Sequence, residues 1–366
     1  MRLHLLALNV GSATLKGAAY ALEAAQAGKP PRLTEQSRAE IQGGGEPQER
    51  LAELLGELSA PDRCPDVVVH RIVHGGDRRD GHELDDALLA ELDALSPLAP
   101  LHQPAALAFV RAARGRWPQA RYGVAFDTSF HASLAPWSRR LPIPEEWDAM
   151  GVRRYGFHGL AFASALRTVA ARDASIREGR AVFAHLGGGC SVCAVAGGIS
   201  LDTTMALTPL GGVPGPTRSG DLDPGAVLYL LRQGGLGAEA IEDGLSHQGG
   251  LAGVAGHGDV RVLMGDHGPR AQLAVEQFVM RIAQSIAAMA TGVGGLDHLV
   301  FSGGIGHRAP VLRERIVARL AWLGLALDPV DNGAGAMRID HGVGPGIWNV
   351  AVDEERELVE STLSWL

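Results

Sequence analysis

The sequence predicts an α/β protein built from two related halves, and two observations support this prediction. Apolar segments of strand length alternate along the chain with segments of helical spacing, which is typical of α/β folds. An apolar segment, a glycine-rich turn and a second apolar segment also occur twice, around residues 10 and 188. This repetition, half a chain apart, predicts a duplicated architecture.

The predicted strands are short apolar runs bounded by turn residues. Residues 3–10 form an almost unbroken apolar run, as expected of a strand buried on both faces, and residues 15–22 are predicted to return beside it. The second hairpin pairs residues 181–186 with 190–195 across Gly187, Gly188 and Gly189. Further strands are predicted at 66–73, 122–126 and 299–301.

Helical spacing occupies much of the remaining sequence. A helix with proline in its first turn is predicted at 104–114, because proline is tolerated where the backbone N–H has no helical partner. Other helices are predicted at 224–232, 272–291, 310–323 and 354–366. The segment 24–49 is rich in glycine, proline and polar residues and is predicted to be a loop.

Composition excludes several classes of function. The 366 residues carry 33 basic and 41 acidic side chains, a formal net charge of −8, which disfavours nucleic acid or an anionic membrane as partner. No uncharged apolar run reaches the roughly 18 residues of a membrane helix. Asn9, Ser12 and Lys16 interrupt the apolar N-terminus, so secretion is not expected. With only three cysteines, a cytoplasmic location fits best, and the length favours two domains.

The first hairpin offers a candidate phosphate site. Alternation along a strand places Ser12, Thr14 and Lys16 on one face, close to Asn9. Hydroxyl and backbone N–H groups in such a hairpin bind phosphate oxygens, although a polar strand face without a ligand explains the same pattern. The chain has only two lysines, Lys16 and Lys29, and neither lies in a P-loop motif, so that motif is excluded.

A candidate carboxylate site follows the strand at 66–73. His70 and His74 have a spacing typical of metal ligands on a helix, but the neighbouring valines favour a strand, which puts Arg71 and Val73 together on the other face. A guanidinium beside an apolar side chain suits a small carboxylate. A surface arginine is the alternative interpretation.

Other segments present single polar residues at turns. Asp127 follows a strand, His158 lies between glycines, and Arg218 lies on a tight loop before a predicted helix; each suits either ligand binding or a structural role. The turn at 302–306 would let a planar ring or a phosphate approach the backbone. Cys190 and Cys193 have the spacing of a metal or redox pair, but no second pair follows, so a structural role is predicted.

Taken in order, these segments resemble the acetate/propionate kinase family. The matching motifs are Asn9-x-Gly-Ser-x-Thr-x-Lys16, His70-Arg71-x-Val-His-Gly-Gly76, Leu98-Ala-Pro-Leu-His102, Phe126-Asp-Thr-x-Phe-His131, Tyr155-Gly-Phe-His-Gly159, His185-Leu-Gly-x-Gly189, Asp202-Thr-x-Met-x-Leu-Thr-Pro209, Thr217-Arg-Ser-Gly-Asp221 and Gly303-Gly-Ile-Gly306. Nine ordered motifs, from Asn9 to the acidic stretch 353–355, cover essentially the whole chain.

The resemblance implies two duplicated actin-like ATPase domains around a nucleotide cleft, with boundaries at 1–131 plus 355–366 and at 132–354. It implies reversible phosphorylation of acetate or propionate by ATP with Mg²⁺, or Mn²⁺ as a substitute, in a homodimer. Implied catalytic residues are Arg71, Asp127, His158 and Arg218, and implied pocket residues are Val73, Leu101, Phe157 and Pro209. Implied nucleotide residues are Asn9, Ser12, Thr14, Lys16, His102, His185, Gly187, Gly189, Asp259, Arg261, Gly303, Gly304, Ile305 and Gly306, with Asn9 and Glu354 at the metal.

Three segments depart from the usual family pattern. Gly188 replaces an asparagine, His307-Arg308 replaces Glu-Asn, and Leu160-Ala161-Phe162 replaces Thr-Ser-His. These departures leave a second hypothesis open: a divergent nucleotide-binding member with poor turnover or a different carboxylate substrate.

Overall fold

The computed structural model describes residues 2–11, 14–24, 31–58, 64–100 and 102–366. The chain forms two compact units. Unit 1 comprises Met1–Ala132 and Asp353–Leu366, and unit 2 comprises Ser133–Val352. Asp353 and Glu354 therefore lie in unit 1 by packing, one or two residues from the domain boundaries that the resemblance implies.

Unit 1 is a mixed sheet with helices packed on it. Its strands are β1 (Arg2–Val10), β2 (Thr14–Glu23), β3 (Arg32–Gln42), β4 (Val67–Ile72), β5 (His82–Glu83) and β6 (Arg121–Phe126). Its helices are α1 (Pro47–Glu57), α2 (Asp86–Ala94), α3 (Gln103–Arg116) and, at the C-terminus, α15 (Glu354–Glu360), with short 3₁₀ turns at Ser96–Leu98 and Ser129–His131.

Unit 2 has a second sheet and more helices. Its strands are β7 (Arg180–Leu186), β8 (Cys190–Ala196), β9 (Ile199–Thr203), β10 (His298–Ser302) and β11 (Gly346–Asn349). Its helices are α4 (Pro136–Arg139), α5 (Glu145–Ala149), α6 (Gly159–Ala170), α7 (Pro224–Arg232), α8 (Ala238–His247), α9 (Gly250–Ala255), α10 (Val260–Gly265), α11 (Pro269–Gly292), α12 (Gly303–Arg308), α13 (Pro310–Ala318) and α14 (Pro329–Ala334), with 3₁₀ turns at Ala174–Arg177 and Ala321–Leu323.

Five strands of each unit share one topology, and unit 1 has one more antiparallel strand, β5. The strand order is β3-β2-β1-β4-β6-β5 in unit 1 and β11-β10-β7-β8-β9 in unit 2. In each sheet an antiparallel meander of three strands (β1 to β3, β7 to β9) continues through its first strand into two parallel strands (β4 and β6, β10 and β11). The predicted α/β class and the predicted duplication are confirmed by this shared order.

Each unit has its own apolar core. In unit 1, Leu54 of α1 and Leu107 of α3 are fully buried in the cluster that covers the sheet. In unit 2, Phe278 and Ile282 belong to the long helix α11, which packs against β7 and β8, and both are buried in its core. Burying each such side chain stabilises the fold by about 1.5–3 kcal/mol. The two cores therefore stabilise the sheets, and the polar residues of the candidate site lie at the ends of their strands.

Several predicted elements are wrong in detail. The predicted loop at 24–49 contains β3, which pairs with β2 along its whole length, and the first turn of α1. A polar strand at a sheet edge lacks the apolar alternation that predicts strands, because only Ile41 of β3 is buried. The helices predicted at 310–323 and 354–366 end earlier, at Ala318 and Glu360, whereas the strand-to-helix turn predicted at 302–306 is present, because β10 ends at Ser302 and α12 begins at Gly303.

His70 of β4 carries a prediction about stability and pH. Its ring is buried and stacks on Tyr122, and neither ring nitrogen has a hydrogen-bond partner. Burial, followed by the positive charge of Arg114, lowers the pKa of His70 to about 3. Between this value and the pKa of about 6.5 in the unfolded chain, the unfolded state binds more protons. Stability therefore falls as the pH falls below about 6.5.

At pH 5 we expect His70 to lower the free energy of unfolding by about 2 kcal/mol relative to pH 7. In thermal melts at both pH values, His70→Leu should lose that part of the pH dependence. The exposed His267→Leu should keep it, because that imidazole is hydrated in both states. An unchanged pH dependence in His70→Leu would contradict the prediction.

Among the residues that the structure describes, no helix combines the length and the apolar character needed to span a bilayer.

Candidate active site

The carboxyl ends of three parallel strands of unit 1 lie side by side at one edge of the sheet. Asn9 lies next to the end of β1, Arg71 next to the end of β4, and Asp127 directly after β6. Ligands of open α/β sheets bind outside the carboxyl ends of the strands. The sheet thus brings together three residues that the sequence predicted to act together.

Arg71 and Asp127 form a bidentate ion pair. The Arg71 Nε donates to Asp127 Oδ1 at 3.0 Å and Nη2 donates to Oδ2 at 2.5 Å. The remaining terminal nitrogen, Nη1, donates to Asn9 Oδ1 at 3.3 Å and to the carbonyl of Val10 at 3.2 Å. The paired fork fixes the plane of the guanidinium, as carboxylate recognition requires.

Electrostatics keep this arginine charged. Burial opposes the charge on Arg71, but the attraction of Asp127 and its hydrogen bonds outweigh burial, so the pKa of Arg71 lies above its usual value. Glu354 and Glu355 add to this effect. A fixed positive charge therefore remains at this edge at every pH at which the protein is folded.

Helix α15 brings two carboxylates to the same edge. Asn9 Nδ2 donates to Glu354 Oε2 at 3.0 Å and to Glu355 Oε1 at 2.8 Å. Glu355 is buried, and burial together with the neighbouring charge of Glu354 raises its pKa. Asn9 and Glu354, which the resemblance implies at a metal, are thus hydrogen-bonded within unit 1, and Glu355 is a residue to which the sequence assigned no role.

The segment after β4 is held against the start of α3. The buried side chain of Gln103 accepts a hydrogen bond from the backbone N–H of His74 and donates one to its carbonyl, each at 3.0 Å. Val73 is buried in this segment, and His102 immediately precedes α3. Leu101, another predicted pocket residue, lies outside the described residues. Gln103 carries no motif signal and was not predicted.

The predicted phosphate face of the first hairpin is described in part. The backbone N–H of Gly11 donates to the carbonyl of Thr14 at 2.8 Å and closes the turn, while Ser12 lies outside the described residues. Lys16 is opposite Asn9 in the β1–β2 ladder, and its ammonium lies 3.9 Å from Glu40 of β3. Lys16 is partly exposed, so this weak pair leaves it accessible to a ligand.

His158 of unit 2 has an unusual backbone conformation. His158 precedes α6 with φ of 62°, in the left-handed region that non-glycine residues seldom occupy. Its Nδ1 is 2.8 Å from the hydroxyl of Ser191, a fully buried residue of β8. A Ser191 hydroxyl that donates to Nδ1 selects the tautomer in which Nε2 carries the proton. Ser191 lies between Cys190 and Cys193, and no sequence pattern indicated a role for it.

Three predicted residues of unit 2 converge at the second hairpin. A side chain at Gly189 would begin 3.0 Å from both His158 Nε2 and Arg218 Nη1, so these groups would have to shift to admit it. The rings of His158 and His185 lie 4.7 Å apart, and His185 Nδ1 is 3.2 Å from the hydroxyl of Ser302. A cationic and imidazole cluster therefore lies at the glycine turn.

Backbone hydrogen bonds fix the Arg218 loop. The carbonyl of Arg218 accepts from Gly215, and the N–H of Gly249 donates to the carbonyl of Thr217, both at 2.9 Å. Gly250 has φ of 58°, and any side chain there would strike the carbonyls of Gly215 and Arg218. The loop thus depends on glycines at the start of α9, some thirty residues downstream of Arg218 in the sequence.

Two glycine turns adjoin in unit 2. A side chain at Gly187 would begin 3.7 Å from the backbone nitrogen of Gly304. Gly303 has φ of 81°, and a side chain there would begin 2.4 Å from the carbonyl of Leu186. Gly306 packs against Leu186, and Ile305 is partly buried. The turns at 187–189 and 303–306 therefore form one glycine-rich surface.

A buried arginine holds the end of α12. The Arg313 side chain donates to the carbonyls of Gly306, His307 and Asn332 and to Oδ1 of Asn332, at 2.7–3.0 Å. Burial lowers the pKa of Arg313 to about 10. His307 is in turn fixed by its Nδ1 at 2.9 Å from Asn349 Oδ1, whereas Arg308 is exposed.

The other predicted residues of unit 2 are less closely connected. Asp259 caps α10, and its hydrogen bonds with Arg261 lower the pKa of Asp259 to about 2. Arg261 is exposed and Asp259 is half-buried. Phe157 is buried next to His158, and Pro209 is partly buried.

Gly188 leaves room for the side chain that the family pattern has there. Nothing lies within 4 Å of the position of its missing Cβ, and its φ is outside the left-handed region. We therefore expect Gly188→Asn to fold normally and to raise kcat/KM for ATP about 10-fold, by adding an amide donor to a charged phosphate.

Gly188→Ala is the matched control, since it adds a Cβ without a donor and should leave kcat/KM unchanged. Lower kcat/KM in Gly188→Asn with wild-type stability would show that the turn is adapted to glycine and would contradict the expectation.

The two cysteines of β8 are unsuited to chemistry. Cys190 and Cys193 are buried, and burial raises the pKa of each thiol to about 12. Among the described residues, no cluster of three or more His, Cys, Asp or Glu is arranged to hold a metal. Mg²⁺, however, commonly uses one or two protein carboxylates and takes its other ligands from phosphates and water. The carboxylate of Glu354 fits that requirement, and Asn9, whose oxygen accepts from Arg71, orients it through its amide.

The chain matches known proteins over most of its length. The model of the acetokinase family matches residues 34–343. An acetate kinase of Rhodopseudomonas palustris (strain TIE-1) is 41% identical over 317 residues, which are 83% of this chain and 79% of that protein. An acetate kinase of Deinococcus deserti is 42% identical over 286 residues, 76% of this chain and 71% of that protein.

Solved structures agree. A propionate kinase from Francisella tularensis subsp. tularensis SCHU S4 superposes with a TM-score of 0.87 at 30% identity, over 99% of this chain and 100% of that one. The acetate kinase of Porphyromonas gingivalis gives a TM-score of 0.83 at 27% identity, over 99% of both chains. The chain therefore belongs to the acetokinase family and is a kinase whose phosphoryl acceptor is a carboxyl group.

Proposed function

We propose that this protein transfers the γ-phosphoryl group of Mg²⁺-ATP directly to acetate or propionate, reversibly, to give the acyl phosphate and ADP. In the forward step a carboxylate oxygen bonds to the γ-phosphorus as the bond to the β,γ-bridging oxygen breaks. The carboxylate is already ionised and needs no general base. The principal barrier is repulsion between the acid and the polyanionic nucleotide, which cationic groups reduce.

We assign the acceptor side of the reaction to unit 1. Arg71 binds the carboxylate and the transferred phosphoryl oxygens, and Asp127 holds the guanidinium in the required plane. Their bidentate pair, with bonds of 2.5 and 3.0 Å, supports this assignment. Val73 and Leu101, with Phe157 and Pro209, are proposed to contact the alkyl group of the acid.

We assign the donor side mainly to unit 2. Arg218 and His158 stabilise charge on the phosphoryl oxygens, and His158 Nε2 donates a hydrogen bond to them. The nucleotide is proposed to contact the glycine surface and several polar residues, namely Asn9, Ser12, Thr14, Lys16, His102, His185, Asp259 and Arg261. Arg261, whose side chain is 90% exposed, is proposed to be the outermost of these contacts.

Glu354, together with Asn9, is proposed to hold Mg²⁺ at the phosphates, and Mn²⁺ is expected to substitute. The ion supplies positive charge that offsets the charge of the phosphates. Around it, the protein orients Glu354 through the 3.0 Å hydrogen bond from Asn9.

The observation that most strongly supports the proposed roles is the convergence of His158 and Arg218 over Gly189. The same three residues belong to three separate family motifs. A plain structural role for each would not require all three to meet at one turn.

Acyl phosphate trapping tests the proposal. The purified protein is incubated with ATP, Mg²⁺, hydroxylamine and carboxylic acids of two to four carbons, and the hydroxamate is measured. We expect product with acetate and propionate and only modest discrimination, because one methylene changes the barrier by about 1–3 kcal/mol. Protein that binds ATP and yields no hydroxamate from any acid would contradict it.

A second candidate is a divergent member with poor turnover or a different carboxylate substrate. Gly188 has no side chain to donate a hydrogen bond to a phosphate, and the exposed Arg308 stands where the family pattern has asparagine. In the same assay this candidate predicts nucleotide binding with turnover restored by Gly188→Asn, or product only from an acid outside the panel.

We further propose that the protein is a homodimer that uses α7. No residue of α7 is buried within the chain, even though the helix carries large apolar side chains. Leu228, Tyr229 and Leu231 are 45%, 65% and 41% exposed. Exposed apolar patches of this kind usually mark interfaces. We expect Leu228→Glu with Leu231→Glu to give a monomer in analytical ultracentrifugation, whereas Val330→Glu, at a 76% exposed site, should not. A monomeric wild-type protein would contradict this.

The two compact units are proposed to be the two family domains, with boundaries near residues 132 and 353. A cytoplasmic location is proposed because Cys64, Cys190 and Cys193 are all free thiols, as a reducing compartment maintains them.

A further inference from the structure

Arg38 lies on β3, the edge strand that the sequence did not predict, and contacts three carboxylates. Its guanidinium donates to Glu35 and Asp353, each at 2.7 Å, and to Glu355 at 2.5 Å. Glu35 belongs to the same strand, whereas the other two come from the far end of the chain, more than 300 residues away. Arg38 therefore fastens the C-terminal acidic segment to the edge of the first sheet.

The two C-terminal partners of Arg38 flank Glu354. Asp353 is the N-cap of α15, because its side chain accepts a hydrogen bond from the backbone N–H of Arg356 at 3.0 Å. Glu355 is the second residue of that helix and is buried. Because the residues on both sides of Glu354 are tied to one guanidinium, the backbone at Glu354 has little freedom to rotate.

The same contacts extend to the side chain of Glu354. Glu355 uses one oxygen for Arg38 and the other for Asn9 Nδ2, and Asn9 Nδ2 also donates to Glu354 Oε2. Hydrogen bonds thus run without a break from Arg38 through Glu355 and Asn9 to Glu354. A shift of Arg38 would be transmitted to the carboxylate that we assign to Mg²⁺.

We propose that Arg38 is a positioning residue that orients Glu354 for the divalent cation. This inference rests on the proposed function, because it requires Glu354 to be a metal ligand. By pairing with the outer two of three consecutive acidic residues, Arg38 offsets their repulsion and keeps them away from the ion, so that Glu354 is presented alone. Residues that orient a ligand in this way typically affect metal affinity 10- to 100-fold.

Orientation and simple electrostatics predict opposite results, which makes the proposal testable. Removing a positive charge near a cation site should tighten cation binding if charge alone matters. If Arg38 acts through the geometry of Glu354, its loss should weaken binding instead. The sign of the change in metal affinity therefore separates the two roles.

The experiment measures Mn²⁺ binding to the full chain by electron paramagnetic resonance at saturating ADP. We expect Arg38→Gln to raise the Kd for Mn²⁺ about 10-fold while the Kd for ADP in EDTA stays unchanged. Arg38→Lys should recover part of the affinity, because an ammonium reaches one carboxylate but not both. Arg38→Lys also serves as the test variant if Arg38→Gln does not fold.

Two further variants make the result decisive. Glu35→Gln removes a partner of Arg38 that does not contact the acidic segment, and it should leave the Kd for Mn²⁺ unchanged. Glu354→Gln should weaken Mn²⁺ binding at least as much as Arg38→Gln. If Glu354→Gln has no effect, the proposed metal role fails and the role of Arg38 fails with it. If Glu354→Gln weakens binding but Arg38→Gln changes only Tm, or tightens binding, the positioning role alone is overturned.

Discussion

Arg71→Ala is expected to lower kcat by about 10³-fold or more, the scale seen when a charge-stabilising arginine is lost from a phosphoryl-transfer site. The reason is geometric as well as electrostatic. The bidentate pair with Asp127 fixes the guanidinium plane, and the contacts with Asn9 and Val10 fix its remaining edge. The measurement is steady-state hydroxamate formation at saturating acetate and ATP.

The Arg71 variant also leaves Asp127 buried without its partner. Breaking a buried pair in this way costs about 3–5 kcal/mol, so a lower Tm is expected and activity is compared well below it. Arg121→Ala, which removes the exposed pair with Glu83 from a strand of the same sheet, is the matched control and should keep its activity. Near-normal turnover of folded Arg71→Ala would show that the acceptor site lies elsewhere.

Arg218→Ala is expected to lower kcat to a similar extent, about 10³-fold, with little change in Tm. Arg218 is partly exposed, and backbone hydrogen bonds hold its loop. Arg218→Lys should recover little, because an ammonium lacks the planar fork that contacts two oxygens at once.

The control for this variant is Arg270→Ala, an exposed arginine of unit 2 that donates to the carbonyl of Val254. It should retain wild-type kcat and KM. Should Arg218→Ala raise KM for ATP without lowering kcat, the guanidinium would bind the ground state only, and the proposed stabilisation of transferred charge would be incorrect.

Local sequence was sufficient for the fold class and for the identity of most candidate residues. Apolar runs around glycine turns predicted both hairpins, because such runs must be buried and the turns leave few alternatives. The same pattern failed at β3, since an exposed edge strand has no buried face to impose alternation. It also failed at the ends of helices, where capping depends on a few side chains.

Residues that support the site were not predictable in the same way. Glu355, Arg38, Gln103 and Ser191 carry no motif, and each is hydrogen-bonded to a partner distant in the sequence. Asn9 meets Glu354 and Glu355 across some 345 residues, which no local pattern encodes. Gly188 could be recognised as a departure, but its open surroundings and its ordinary φ emerged only from the structure.

The sequence by itself determined the α/β class, the duplication and the kind of chemistry, because these follow from periodicity and from the order of reactive residue types. The tertiary structure decided how those residues are held: Arg71 by Asp127, His158 by Ser191, and Glu354 through Asn9 beside Arg38 and Glu355. The physical reason is that hydrogen bonds and ion pairs act over about 3 Å in space, and the chain brings such partners together only when both sheets have formed.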